Sequence, residues 1–219
     1  SFPLERGQLL LPMRDQAGRL VNKKEKARFD DALPLEKGHL LLPMRDQAGR
    51  LVIQKEKARF DDSLHKGPLP YTEENLLILA RRHLGAPYGW GGRKESVDCS
   101  ALTQDVYRSM GIELPRNSGE QARTTPGVSF QGLSRKARLS LLKTLPVGSL
   151  LYMPGHIMIY SGEKNGIPMV IHALGSKGVR EKGAVRKVPV MKVVETPVEI
   201  LGSSGVTLLM RVTKGIVIR

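Results

Sequence analysis

One cysteine and five histidines are the residues of this 219-residue chain whose types could carry nucleophilic chemistry. Cys99 lies in the stretch Pro-Tyr-Gly-Trp-Gly-Gly-Arg-Lys-Glu-Ser-Val-Asp-Cys-Ser-Ala-Leu, from Pro87 to Leu102, which also holds the only tryptophan, Trp90. Gly89, Gly91 and Gly92 predict a loop ahead of the cysteine, because so many glycines leave the backbone too free for a regular element. Beyond it, Leu102, Val106, Tyr107 and Met110 recur at helical spacing and Gly111 is a stop signal. A helix is therefore expected to begin at Cys99 with Asp98 as its N-cap. A thiol in a first helical turn meets unsatisfied backbone N–H groups and the positive end of the helix dipole, both of which favour the thiolate. The competing reading is a buried structural cysteine. The polar neighbours Asp98 and Ser100 and the glycine loop argue against a core position.

A cysteine nucleophile needs a base, and the base needs a group that orients it. His156 opens the run His-Ile-Met-Ile-Tyr directly after Pro154-Gly155, which reads as a strand entered from a tight turn. His172 sits in Val-Ile-His-Ala, a second strand, and Asn165-Gly166 between the two is a hairpin signal. Two paired strands would then each bring one histidine to the cysteine helix, His156 as base and His172 holding its tautomer. His83 ends an earlier helix and His65 falls in a linker, so both read as solvated. His39 has Gln8 at the matching position of an internal repeat, which makes it dispensable to that unit.

These residues resemble the NlpC-type cell-wall cysteine peptidases, which are papain-like in fold. The resemblance is carried by Tyr88-Gly89-Trp90-Gly91-Gly92, then Asp98-Cys99-Ser100-Ala101-Leu102, then Leu114-Pro115-Arg116-Asn117-Ser118, then Gly155-His156-Ile157-Met158-Ile159-Tyr160, and finally Ile171-His172. Order and spacing agree over about Tyr71 to Val194; each short motif alone is weak, and the ordered set is specific. Ala101 departs from the pattern, since many members have glycine there. The resemblance implies a catalytic group of Cys99, His156 and His172. It also implies a substrate-binding lining of Tyr88, Trp90, Asp98, Ser100 and Arg116, with Asp98 holding the free amine of the substrate. The reaction it implies is hydrolysis of the γ-D-glutamyl–diamino acid bond in peptidoglycan stem peptides, in a muropeptide with a free N-terminal L-alanine.

Composition bounds the remainder. The net charge is +14, of which residues 1–66, with 14 basic and 10 acidic side chains, carry only +4. The excess lies in the second part, notably at Lys177, Arg180, Lys182, Arg186, Lys187 and Lys192. A basic face can serve nucleic acid, but no nucleic-acid motif is present and aromatics to stack bases are few. The partner expected is instead an anionic wall polymer, peptidoglycan or its muropeptides, against the plain alternative of a solvated face. No run of 18 apolar residues exists, so no membrane span is expected. A lone cysteine excludes an intrachain disulfide, and in an exported protein it suggests a reactive thiol. The location expected is periplasm, cell envelope or secreted, with cytoplasmic recycling as the alternative; no signal peptide is visible. No cofactor and no metal are expected, and the oligomeric state is not legible.

Residues 4–33 and 35–64 are near copies that differ at five pairs, Arg6/Lys37, Gln8/His39, Asn22/Ile53, Lys23/Gln54 and Ala32/Ser63. Each copy reads as a hairpin with Gly18 or Gly49 at its turn. Together they predict a small β-rich, SH3-like or partial-barrel region over 1–66, which the family resemblance supports. Residues 67–219 are then the catalytic domain. Within it a helix capped by Thr72 and ended near Gly85 is expected, then the Cys99 helix and a short helix around 119–123. A basic loop with a helical turn follows over 134–144, then a strand over 149–153 and the two histidine strands. A polar basic loop is expected over 175–187, and closing strands over 188–194 and 206–212. The fold class is α+β, helices first and an antiparallel sheet after.

Three alternatives to a hydrolase share these residues. A zinc site could use Cys99, His156 and His172, although no close-spaced ligand pair supports it. A non-catalytic wall-binding module would rely on the basic surface. An acyltransferase or amidase of the same fold would pass the Cys99-bound acyl group to another acceptor.

Overall fold

The computed structural model describes residues 68–89 and 96–218, together with four strands in the first part of the chain. Those strands pair as two antiparallel ribbons, β1 (Pro12–Arg14) with β2 (Leu20–Asn22) and β3 (His39–Arg45) with β4 (Leu51–Lys57). Each repeat thus contributes one antiparallel pair of strands, and the turns expected at Gly18 and Gly49 lie outside the described residues. The SH3-like or partial-barrel reading of 1–66 rests on further residues that lie outside those described. The chain divides into two units at Gly67/Pro68, and the second holds the site.

That second unit begins with α1 (Glu73–Arg82), whose Thr72 side chain accepts a hydrogen bond from the Asn75 amide at 3.2 Å. Glu73 and Glu74 lie at the positive end of its dipole, and Arg81 and Arg82 at the negative end. Then come α2 (Cys99–Arg108) and α3 (Ser118–Thr124). A short strand β5 (Gly127–Ser129) precedes α4 (Arg135–Lys143). Strands β6 (Leu150–Met153), β7 (His156–Lys164), β8 (Ile167–Glu181) and β9 (Ala184–Pro197) follow as a meander. The turn α5 (Leu208–Arg211) and the strand β10 (Lys214–Ile216) complete the unit. The sheet is antiparallel in the order β5-β10-β6-β7-β8-β9, so β10 is inserted between two strands that precede it in sequence. Helices with an antiparallel sheet are the expected class.

Each sheet face buries its own core. On one face, Leu150, Ile157, Ile159, Ile171, Ala173 and Val193 meet Leu76 and Ala80 of α1 and Leu102, Val106 and Tyr107 of α2. On the other, Leu151, Met158, Tyr160 and Val170 meet Leu142 of α4 and Leu208 and Leu209 of α5. This alternation along β6 and β7 is the period-2 pattern of a strand covered on both sides. Tyr107 ties the two layers of the first core by donating its hydroxyl to the carbonyl of Gly148.

Three sequence expectations are corrected. Residues 175–187 are not a loop: β8 and β9 continue as a paired ribbon to a turn at Lys182-Gly183, where Lys182 and Gly183 both take positive φ. The exposed lysines and arginines give this stretch the polarity of a loop, whereas an antiparallel ribbon that extends largely beyond the core tolerates charge on both faces. Residues 206–212 are not a strand; Leu208–Arg211 form a helical turn, and the strand lies further on at Lys214–Ile216. Residues 135–143 make a full helix, with Ser134 accepting from the Ala137 amide at 3.3 Å. Its buried Arg138 donates to the carbonyls of Leu209 and Val212 at 3.0 and 2.6 Å, so the residue that looks most solvated in sequence pins α5 in place.

Candidate active site

Backbone pairing fixes the approach to Cys99. Residues 85–88 run beside β9: the Gly85 amide donates to the Val193 carbonyl, the Val193 amide to Ala86, and the Tyr88 amide to Met191. The Val97 amide then donates to Pro87 at 2.9 Å, which brings the segment before the cysteine back against Tyr88. Asp98 caps α2 by accepting from the Ala101 amide at 2.8 Å. Cys99 is the first residue of the helix, as expected from the sequence. Its placement corrects one expectation, because at 8 % exposure it borders the apolar core rather than standing clear of it.

Burial also reverses the expected direction of its titration. Desolvation pushes the Cys99 thiol up, the backbone N–H of Ile157 works the other way, and the charge of Asp98 adds to the rise. The helix-start position alone would lower it, but loss of water around the sulphur is the larger effect.

Pro154 and Gly155, the latter at φ +80, form the two-residue turn that pairs Met153 with His156. Nothing crowds Gly155, so its requirement is the left-handed backbone alone. His156 Nε2 lies 2.8 Å from His172 Nδ1, and His172 Nε2 lies 3.1 Å from Thr196 Oγ1. The hairpin of β7 and β8 thus joins the two imidazoles, and β9 adds the threonine. In the tautomer where His156 Nε2–H donates to His172, the His156 Nδ1 keeps a free lone pair, and His172 Nε2–H donates to Thr196. His172 is fully buried, and desolvation followed by the neighbouring His156 holds it well below the usual histidine range. His156 is lowered to about 4, chiefly by burial and then by the charge of Arg211. At neutral pH both rings are therefore uncharged, as is the thiol. The Ile157 amide that meets the sulphur belongs to the residue after His156, so the sulphur lies against the strand that carries the imidazole.

Of the other residues singled out by sequence, Asp98, Ser100 and Arg116 come together. Arg116 donates to both oxygens of Asp98, at 3.1 and 2.5 Å, and to Ser100 Oγ at 2.9 Å, while Ser100 donates to Asp98 at 3.2 Å. Asp98 is 4 % exposed, so its carboxylate is closed in by a guanidinium, a hydroxyl and a backbone amide. Tyr88 sets its ring against Gly175, and burial, then the nearby Cys99 and Asp98, raise its phenol. Trp90 lies outside the described residues. Among those described, no group of three or more His, Cys, Asp or Glu is arranged to hold a metal.

Three participants escape a reading of the sequence. Gln121 donates from Nε2 to the carbonyls of Ser100 and Pro115 and accepts from Thr103, and so locks the Arg116 loop to the start of α2. Thr196 and Arg211 are the others. Only the register of β8 and β9 brings Thr196 near His172, and no local motif marks Arg211.

The NlpC/P60 family model matches residues 85–194, half of the chain, and spans the cysteine and both histidines of the site. The chain belongs to the NlpC/P60 family. It is 32 % identical over 101 residues to a γ-D-glutamyl-L-lysine dipeptidyl-peptidase of Bacillus cereus, covering 46 % of this chain and 29 % of that one. It is 32 % identical over 110 residues to a protein of Corynebacterium glutamicum named as a probable endopeptidase, covering 50 % of this chain and 46 % of the other. The chain therefore spans less than half the length of these curated relatives. A solved NlpC/P60 endopeptidase from Photobacterium damselae subsp. piscicida superposes with a TM-score of 0.62 at 25 % identity, over 83 % of this chain and 46 % of that one. Thr196 and Arg211 lie beyond the stretch that the NlpC/P60 model matches.

Proposed function

We propose that this protein is a cysteine endopeptidase of peptidoglycan stem peptides, with Cys99 as nucleophile, His156 as base and His172 as the group that orients it. The observation that carries the reading is the 2.8 Å contact from His156 Nε2 to His172 Nδ1, extended to Thr196, beside a helix that begins at the only cysteine. A base oriented through one nitrogen has the other for the nucleophile, and catalytic contacts in an unliganded site tighten on substrate binding.

The mechanism is acyl transfer to sulphur and then to water. His156 Nδ1 takes the Cys99 proton as the sulphur attacks the peptide carbonyl carbon. The Cys99 backbone N–H at the positive end of α2 is placed to donate to the developing oxyanion. The amine leaves with the proton from His156, giving a thioester. Water, deprotonated by the same imidazole, attacks the thioester and releases the acid, and the thiol regains its proton. The closed Asp98–Arg116–Ser100 group holds the start of α2 rigid while this happens. The bond favoured lies between the side-chain carboxyl of D-glutamate and a diamino acid, and the γ-D-glutamyl-L-lysine specificity in the name of the Bacillus cereus relative supports that choice. A wall substrate places the working protein in the cell envelope or outside the cell, or in the cytoplasm if it recycles released muropeptides.

The test is digestion of defined muropeptides followed by mass spectrometry. The wild type should yield the L-Ala-γ-D-Glu dipeptide, and Cys99→Ala should yield none while keeping its circular dichroism. Turnover by Cys99→Ala equal to wild type would remove the nucleophile assignment.

A further inference from the structure

A cleft of about 200 Å³ opens beside His156 on the sheet face that carries α5. It is walled by His156, Tyr88, Leu174 and Leu208, and its polar side chains besides the histidine and tyrosine are Ser176, Ser203 and Arg211. Arg211 is held there by construction. Arg138 fixes α5 through the Leu209 and Val212 carbonyls, and a Cβ on Gly202 would lie 3.5 Å from the Arg211 guanidinium. Among the described residues no carboxylate forms an ion pair with Arg211, whereas Arg81, Arg108, Arg116, Arg135 and Arg186 each have one. An arginine in a partly enclosed cleft, its fork unmatched among the described residues, is suited to a planar anion that accepts two parallel hydrogen bonds.

We propose that Arg211, with the hydroxyls of Ser176 and Ser203, forms a carboxylate-binding subsite that selects peptides bearing a free carboxylate near the scissile bond over their carboxamide forms. The proposal rests on the peptidase reading for its ligand class, and on geometry for its place. A peptide that enters the cleft brings its carboxylate within reach of the same wall that carries the base. The positive charge of Arg211 also helps keep His156 unprotonated in the empty site. An incoming carboxylate would offset that charge and make the imidazole a stronger base as substrate arrives. Among the described residues, the titratable and charged groups around His156 are His172 from β8, Arg211 from α5, Tyr88 from the cysteine loop, and Cys99 beside Ile157.

The experiment measures binding and turnover separately, so that failure of the subsite and failure of the peptidase reading are distinct. Calorimetric titration of Cys99→Ala uses L-Ala-γ-D-Glu-diaminopimelate, its form amidated on the glutamyl carboxylate, and its form amidated on the diamino acid. One amidation should weaken binding by about 10- to 100-fold, the range for losing a charge-assisted hydrogen-bonded pair. Adding Arg211→Gln should abolish that discrimination, and Arg211→Lys should restore part of it. In the active protein, Arg211→Gln should also move the acidic limb of the kcat/KM profile to higher pH, because loss of a nearby positive charge lets His156 protonate more readily. Equal affinity for all three peptides, binding of none, or discrimination that survives Arg211→Gln would each overturn the subsite. Failure of the wild type to cleave any of them would instead overturn the peptidase reading, and the binding data would still decide the subsite.

Discussion

Arg116 and Arg211 lie on either side of the reacting groups and are used in opposite ways. Arg116 is matched to a buried carboxylate, a hydroxyl and, through the Gln121-locked loop, the first turn of α2. Every hydrogen bond it makes there is internal. Arg211 has the same guanidinium, is carried on α5, and has no acidic partner among the described residues. A satisfied ion pair rigidifies, whereas an unmatched charge at a cleft is available to a ligand. The nucleophile therefore sits next to the closed pair and the base next to the open one.

The largest effect should come from breaking the closed pair. Asp98→Ala removes a helix cap and strands Arg116 and Ser100, which should cost about 3 kcal/mol, at the low end for a broken buried pair because Arg116 is a third exposed. Denaturant melts of Asp98→Ala and Asp98→Asn check this, and the asparagine, still a cap, should recover about 1 kcal/mol of the loss. The same melts on Arg211→Gln should change stability by less than about 0.5 kcal/mol, as for a side chain that holds nothing internal. A large loss at Arg211 would erase the contrast.

Acid should reveal the base side next. His156 and His172 have folded values below the unfolded value of about 6.5, so the unfolded chain binds protons first as pH falls. Their contribution is intact above about pH 6.5 and is lost progressively towards the His156 value of about 4, at up to about 1.4 kcal/mol per pH unit for each group. Melting temperatures followed from pH 7 to 4 should fall, and the slope should flatten in His172→Gln.

The smallest effect expected is at Thr196. Thr196→Val keeps the shape and removes one hydrogen bond to His172, a loss of about 1 kcal/mol or a five- to tenfold fall in kcat/KM. Kinetics at saturating and limiting substrate should place the fall in kcat, since the threonine acts through His172.

The start of α2, the turn before His156 and the two histidine strands were legible in the sequence because each is governed by residues next to one another. Asp98 caps its own helix, Pro154-Gly155 makes its own turn, and β7 and β8 are consecutive. What was hidden depends on register or on distant elements. Thr196 meets His172 only because β8 and β9 align Val170 with Thr196 and His172 with Val194. Arg138 reaches its carbonyls across 71 and 74 residues. The titration of Cys99 is hidden for the same reason, since the dipole is local to the helix while the desolvation comes from distant packed elements. The charged ribbon of β8 and β9 lacked the apolar alternation that marks a strand with one buried face.

The position of β10 has a consequence for how the molecule comes into being. Residues 214–216 lie between β5 and β6, two strands made well before them. During synthesis at roughly 5–20 residues per second, a ribosome-bound chain can close the β6–β9 meander and its histidine hairpin early. It cannot join β5 to the sheet until residue 216 has emerged. Until then β6 presents an unpaired edge of the kind that recruits other strands. A stalled or clipped chain that ends before Lys214 would keep that edge of β6 bare and be prone to aggregate.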